Sequence, residues 1–373
     1  MNAQQIGVIG AGAWGTAVAK VLAENGHQVE MWVYEQEVVE SINASHRNHM
    51  YLMEVDLPES IRATSSLEQA VTQKDYLVLA LPSIHLLPTV KNMAKMDTIL
   101  EGAVPIGVLT KGFVKLDGSP RLITEALERY LPGSYTGNLV YLSGPSHAEE
   151  VARGKLTGLI SASANPRLSI AFRELLSGST MVVFSSLDVP GVQVAAALKN
   201  VVAIAFGILD ALKDLSDNVG DNTESLLLAA GLNEIQSIGT ALGSTHPETF
   251  ASIAGVGDLD VTCRSVYGRN RRFGREIIHD RVLTRFSGLD HLIDNIDTLG
   301  YLPEGVIACR YAREIANKHG LRLPIINTVY RILNREVEAS EALGSSLFQK
   351  QSFQPFHEEH DDRDTRISEA GHE

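Results

Sequence analysis

The chain has 373 residues, 44% of them hydrophobic and 21% charged, with a formal net charge of −13. This is the balance of an ordinary globular protein long enough for one large or two average domains, and its acidity argues against nucleic acid or an anionic membrane as the main partner, because both ask for basic surface. Two cysteines, Cys263 and Cys309, are too few for a disulfide framework and fit a reduced, cytoplasmic setting.

"IGVIG" (6–10) reads as a short buried strand, and "WGTAVAKVLAENG" (14–26) as a helix ending at a glycine. No basic segment precedes this apolar run, so it is not read as a signal peptide. Between strand and helix lies "GAGAWG" (10–15), a complete GxGxxG in the strand–loop–helix context that gives the pattern meaning. Gly10 permits a tight turn, Gly12 lets the backbone approach a pyrophosphate, and Gly15 lets the helix pack closely on the strand. The first N–H groups of the helix then face the anion, and the expected ligand is a dinucleotide. The second strand, "QVEMWVYE" (28–35), brings Glu35 to a position 20 residues after Gly15. An acid there accepts from a ribose 2′-hydroxyl and repels a 2′-phosphate. The expected cofactor is therefore NAD, with NADP the alternative if Glu35 only begins the next helix.

Further strands over 76–82, 105–112, 139–145, 157–163 and 181–186, with helical patterns between them, predict a parallel, doubly wound sheet. "TKG" (110–112) ends one of these strands. Ligands bind outside the carboxyl ends of such strands, so Lys111 either faces the ligand or is an exposed strand-end lysine. In "SGPSHAEEVARG" (143–154), Gly144 shapes a strand-to-helix turn. Ser146 is placed to cap a helix over 147–153, a role compatible with ligand contact.

After about residue 188 the pattern changes to helices, over 190–212, 222–242, 304–319 and 324–334. The expected organisation is a dinucleotide-binding domain over 1–188, an all-helical substrate domain over 189–345, and an acidic tail over 346–373. The tail has no apolar stripe and is expected to be disordered. Its "HEEHDD" lacks the HExxH spacing, and no metal is expected. The stretch "AAALKNVVAIAFGI" (195–208) is apolar on every helical face and hence reads as buried, yet it carries Lys199 and Asn200. A buried lysine is costly unless it is paired or neutral. Lys199, Asn200 and Asp210 interrupt the longest apolar region, 192–212, which argues against an integral membrane segment. "GVGDLDVTCRSVYGRNRRFGRE" (255–276) gathers Arg264, Arg269, Arg271, Arg272 and Arg275. The net charge opposes a nucleic-acid patch, and a solvated helix face accounts for some of these arginines. Arg269 with Asn270, after a glycine-bearing turn, suits a phosphate.

Taken in order, "GAGAWGTA", "LTKGF", "SGPSHAEEVA", "LKNVVAIAFGILDAL" and "GVGDLDVTCRSVYGRNRRFG", followed by "PEG" (303–305), resemble the NAD(P)-dependent glycerol-3-phosphate dehydrogenases from about residue 5 to about residue 340. The resemblance implies a Rossmann-like domain followed by an all-helical one. It implies an oxidoreductase that interconverts sn-glycerol 3-phosphate and dihydroxyacetone phosphate, supplying the backbone precursor of phospholipids. Lys199 is implied as the proton acceptor. Substrate contacts are implied for Lys111, Gly144, Ser146, Asp258, Gly268, Arg269 and Asn270, while Asn200 and Thr262 match substrate-side positions of the eukaryotic branch. Implied cofactor contacts are Gly10, Gly12, Ala13, Trp14, Gly15, Tyr34, Glu35, Lys111, Ala148, Arg269, Leu302 and Glu304. A homodimer is expected from the long apolar helical part and from the resemblance.

Two departures stand out. Ala229 and Ala230 occupy "LLLAAGLNEI" where the family carries an arginine, and Gly268 stands where bacterial members usually have serine. Two other readings are a dehydrogenase of another hydroxyacid or sugar acid phosphate, and a metabolite-binding regulator without turnover. The "GRNRR" segment and the Lys199 helix weigh against the first. The joint presence of Lys199, Asp258, Arg269 and Asn270 weighs against the second.

Overall fold

The structure, a computed structural model, describes residues 2–345 apart from 216 and 218; the expected acidic tail over 346–373 lies outside the described residues. Eight strands form one sheet: β1 (Gln5–Ile9), β2 (Gln28–Trp32), β3 (Ile61–Thr64), β4 (Tyr76–Leu79), β5 (Ile106–Val108), β6 (Leu139–Ser143), β7 (Thr157–Ala162) and β8 (Met181–Ser186). Their spatial order is β8–β7–β6–β5–β4–β1–β2–β3. β1 pairs in parallel with β2 on one side and β4 on the other, so the order reverses at β1, the place where doubly wound sheets bind ligands. Helices α1 (Ala13–Glu24), α2 (Ser83–Met93) and α3 (Ala148–Ala152) follow β1, β4 and β6.

Several strands stop earlier than their apolar runs suggest. The ladder between β1 and β2 ends at Ile9 and Trp32, and β5 ends at Val108. Tyr34, Glu35 and Lys111 therefore lie in loops beyond the strand ends, not in strands. β3 is a short extra strand on the edge beside β2. β7 departs from the expected parallel pattern: it runs antiparallel to β6 and parallel to β8. The five-residue α3 is about 7.5 Å long, too short to return the chain past a strand of roughly 17 Å. The chain therefore re-enters the sheet from the end at which it left.

Beyond β8 the described residues contain helices and no strand: α4 (Val189–Lys213), α5 (Asp221–Ala241), α6 (Asp258–Arg264), α7 (Arg269–His279), α8 (Glu304–His319) and α9 (Pro324–Leu333), with short turns between them. α4 is the axis around which the others pack. It is long and apolar enough to cross a membrane by length and composition, and its apolar window is wholly buried inside the protein. Its start is capped by Asp188, which accepts from Gly191 N at 3.0 Å and from Ser244 Oγ at 2.8 Å. α7 crosses it at backbone contact, because a side chain at Gly207 would meet the Arg271 carbonyl at 2.0 Å and one at Gly274 would meet the Ile204 carbonyl at 2.2 Å. An apolar helix with small residues at its crossings satisfies the burial that its sequence demands.

One buried carboxylate in this half finds its partners on another helix. Glu234 of α5 reaches the start of α9 and accepts from Ile325 N at 2.6 Å and Ile326 N at 2.9 Å. It does for α9 what Leu323, the residue at the cap position, cannot. Ala230, where the resemblance implies an arginine, faces the core at 2% exposure. Cys263 and Cys309 are both free and buried, and burial pushes both thiols up.

Candidate active site

The carboxyl ends of β5 and β6 face α4, α6, α7 and the start of α8. At their meeting point Asp258, the first residue of α6, is fully buried at 0% exposure. A lone carboxylate there would be prohibitive, and three donors surround it. Lys199 Nζ of α4 contacts Oδ1. Lys111 Nζ lies 3.2 Å from Oδ2, and Ser143 Oγ donates to the same oxygen at 3.3 Å. Lys111 is thus directed into the cleft, and one carboxylate joins the sheet to the helices. Lys199 is 6% exposed. Burial pushes its amine down to about 7, Asp258 opposes that shift, and the neighbouring Lys111 ammonium adds to it.

A second cluster adjoins the first. Asn270 Nδ2 donates to Asn200 Oδ1 at 2.9 Å, and Gly305 N donates to Asn270 Oδ1 at 2.8 Å. These bonds fix both amides and leave Asn200 Nδ2 without an acceptor among the described residues. Glu304 opens α8 and accepts from Ser83 Oγ at 3.1 Å. A side chain at Gly112, next to Lys111, would stand 3.9 Å from the Glu304 carboxylate. Burial raises the Glu304 pKa, while the Ser83 hydrogen bond and the Arg269 charge pull it back.

The arginine cluster separates cleanly. Arg264 pairs with Asp260 and Glu224, Arg271 with Asp210, Arg272 with Glu276, and Arg275 with Asp210 and Asp214. Arg269 is exposed and enters no ion pair with a carboxylate among the described residues. It is the first residue of α7, whose cap position is Gly268, with no side-chain cap and no acid in the first turn. An 11-residue helix with an uncapped start and a free guanidinium is suited to an anion.

At the other end of the cleft, Gly10, Gly12, Tyr34 and Glu35 line a cavity of about 550 Å³ together with Tyr51 and His85. Gly10 takes φ +115°, and a side chain at Gly15 would meet the Gly10 carbonyl at 2.2 Å. Nothing lies within 4 Å of a side chain built at Gly12, so the loop is open where a diphosphate would approach. α1 begins at Ala13 with neither a side-chain cap nor an acid in its first turn, and Trp14 Nε1 is buried without a partner among the described residues. This chemistry fits a dinucleotide. The same wall continues through Leu81 and Pro82 to Ser83 and Glu304, with Thr110 Oγ1 donating to the Leu81 carbonyl at 2.7 Å.

Other expected residues sit less directly. Tyr34 is 83% exposed. Ser146 does not cap α3: His147 occupies the cap position without a side-chain bond, and Ser146 Oγ donates to the Gly144 carbonyl at 2.8 Å. The helix starts one residue later than expected, which leaves Ser146 inside the turn. Thr262 Oγ1 donates to the Asp258 carbonyl at 2.6 Å, a bond within α6. Ala148 is buried in the first turn of α3, and Leu302 is half-buried beside Glu304.

Sequence reasoning passed over Ser143, Ser83, His147, Asn48 and Tyr51. Ser83 follows directly on the carboxyl end of β4 at the reversal point, which is a usable signal. His147 stands within the "SGPSHA" turn. Its Nε2 lies 3.4 Å from the Val261 carbonyl, and burial lowers its pKa, with the Lys199 and Lys111 charges adding to the shift. Among the described residues no cluster of three or more His, Cys, Asp or Glu is arranged to hold a metal.

Two family models match the chain: the N-terminus of NAD-dependent glycerol-3-phosphate dehydrogenase over residues 5–169 and its C-terminus over 188–344. A glycerol-3-phosphate dehydrogenase [NAD(P)+] of Treponema denticola is 54% identical over 349 residues, covering 92% of this chain and 98% of the relative. Among solved structures, glycerol-3-phosphate dehydrogenase from Coxiella burnetii superposes with TM-score 0.80 at 30% identity, over 93% of this chain and 99% of that one. A glycerol-3-phosphate dehydrogenase from Saccharomyces cerevisiae superposes with TM-score 0.75 at 25% identity, over 93% and 100%.

Proposed function

Because the chain belongs to the NAD-dependent glycerol-3-phosphate dehydrogenase family, and so interconverts sn-glycerol 3-phosphate and dihydroxyacetone phosphate with NAD(P), we propose that Lys199 takes and returns the proton of the C2 hydroxyl. The observation that carries this reading is the buried Lys199–Asp258–Lys111 cluster. Its amine is poised near neutrality by desolvation, and its carboxylate holds that amine in place. The nicotinamide, when bound, supplies the hydride acceptor or donor. The test is loss of turnover with NADH binding retained in Lys199→Ala.

Around that amine, Lys111, Asn200 and Asn270 orient the substrate oxygens. Arg269 and the open start of α7 take the phosphate, with Gly144, Ser146, Thr262 and Gly268 shaping the surrounding wall. Gly10, Gly12, Ala13, Trp14 and Gly15 hold the diphosphate, Tyr34 and Glu35 the adenosine, and Ala148, Leu302 and Glu304 the nicotinamide side. The dinucleotide-binding part is residues 1–188 and the helical part 189–345.

Glu35 favours NAD. With both cofactors measured under one set of conditions, NADH is expected to exceed NADPH in kcat/KM by about tenfold, or about 1.4 kcal/mol. Equal or better use of NADPH means that Glu35 does not face the ribose. The reading also includes a cytoplasmic homodimer. Two unpaired thiols fit a reducing compartment, and Val182, Phe184 and Leu187 are apolar side chains left exposed at the sheet edge. Sedimentation equilibrium that gives a species of monomer mass at micromolar concentration removes the dimer.

A further inference from the structure

We propose that Tyr51 is a positioning residue that sharpens the choice between NADH and NADPH: anchored to the glycine loop through Asn48, it holds one oxygen of Glu35 and leaves the other for the adenosine ribose. The inference rests on the reading of Glu35 given above and adds a residue that the dinucleotide motif does not contain.

The anchor is a buried amide. Asn48, at 0% exposure, donates through Nδ2 to the Ala11 carbonyl and to Thr16 Oγ1, each at 2.8 Å. Its Oδ1 accepts from Tyr51 N at 3.0 Å and from Met50 N at 3.3 Å. All the hydrogen-bonding capacity of this side chain is spent on tying the 48–51 turn to the diphosphate loop and the first turn of α1. From that fixed turn, Tyr51 OH donates to Glu35 Oε1 at 2.8 Å. No donor reaches Glu35 Oε2 among the described residues. Tyr51 and Glu35 both line the cavity at the adenosine end of the cleft.

The consequence follows from entropy and charge. Glu35 begins the next helix, at the cap position of Gln36–Ser45, but makes no side-chain cap bond there; without a donor its side chain would sample several rotamers, and fixing it on binding costs free energy. A donor already seated on one oxygen removes part of that cost beforehand. It also keeps the negative charge beside the 2′ position, where it opposes a phosphate. Loss of the donor lets the carboxylate swing into solvent, so the penalty against NADPH relaxes while the contact with NADH weakens. The hydroxyl–carboxylate bond faces solvent in the free protein, with Tyr51 39% exposed, and a bound dinucleotide would cover it.

Tyr51→Phe keeps the ring and removes the hydroxyl. The measurements are dissociation constants for NADH and NADPH by equilibrium fluorescence titration, alongside kcat/KM for each. The selectivity for NADH is expected to fall about fivefold, the worth of one hydrogen bond. Glu35→Ala is expected to lower it at least as far, and the double variant to match Glu35→Ala, because Tyr51 acts through Glu35. A purely structural role would weaken both cofactors alike and leave their ratio unmoved, and that result overturns the proposal. Unchanged selectivity in Glu35→Ala overturns the reading of Glu35 itself. Lowered selectivity in Glu35→Ala with none in Tyr51→Phe overturns only the role of Tyr51.

Discussion

Lys199→Ala is expected to lower kcat by roughly 10²- to 10⁴-fold, the usual cost of losing a general acid–base, while NADH affinity changes little. The variant should fold. Asp258, deprived of Lys199, keeps Lys111 at 3.2 Å and Ser143 at 3.3 Å, so its charge is not stranded. The pH dependence adds a second signature. Lys199 must be neutral to accept the hydroxyl proton and charged to return it. With its amine pushed down to about 7, glycerol 3-phosphate oxidation should rise with pH through that region and level off above it. Dihydroxyacetone phosphate reduction should be fastest below that region and fall above it. Folded Lys199→Ala with kcat near wild type, or a wild-type oxidation profile flat across neutral pH, sinks the assignment.

The reason for a lysine in an apolar helix shows how far the sequence can be read. Periodicity alone says that 195–208 is buried and that Lys199 needs a reason. It cannot say that the partner is Asp258, 59 positions away, or that the same carboxylate also takes Lys111, 147 positions away. Such pairings are tertiary facts, and a chain pattern carries no distance information across elements. The glycine loop was legible because all its parts are consecutive. β3 was not: "IRAT" is four residues with a single large apolar side chain, too little alternation to register as a strand. The Asn48 and Tyr51 turn was hidden for a related reason. Its residues are ordinary polar and aromatic types, and their meaning comes only from lying against Ala11 and Glu35. Of the five arginines between 264 and 275, the sequence sets Arg269 apart only by the glycine-bearing turn before it. Their carboxylate partners, at positions 210 to 276, make four of them different from the fifth.

That difference sets the other large expected effect. Arg269→Ala should cost about 2 to 5 kcal/mol of substrate interaction, the range for truncating one member of a close charge pair. In kcat/KM this is roughly 30- to 4,000-fold. Arg269 is the arginine of the cluster that pairs with no carboxylate among the described residues, and it stands at a helix start that lacks a capping side chain or an acid. A phosphate dianion there meets a planar cation and unpaired N–H groups together. Arg271, Arg272 and Arg275 already spend their charge on Asp210, Glu276 and Asp214, so their removal should affect binding less. The control is the phosphate itself. The wild type should prefer dihydroxyacetone phosphate strongly over dihydroxyacetone, and Arg269→Ala should lose most of that preference by weakening only the phosphorylated substrate. If Arg269→Ala keeps the preference while Arg272→Ala destroys it, the phosphate lies further along α7, and the open helix start is not its site.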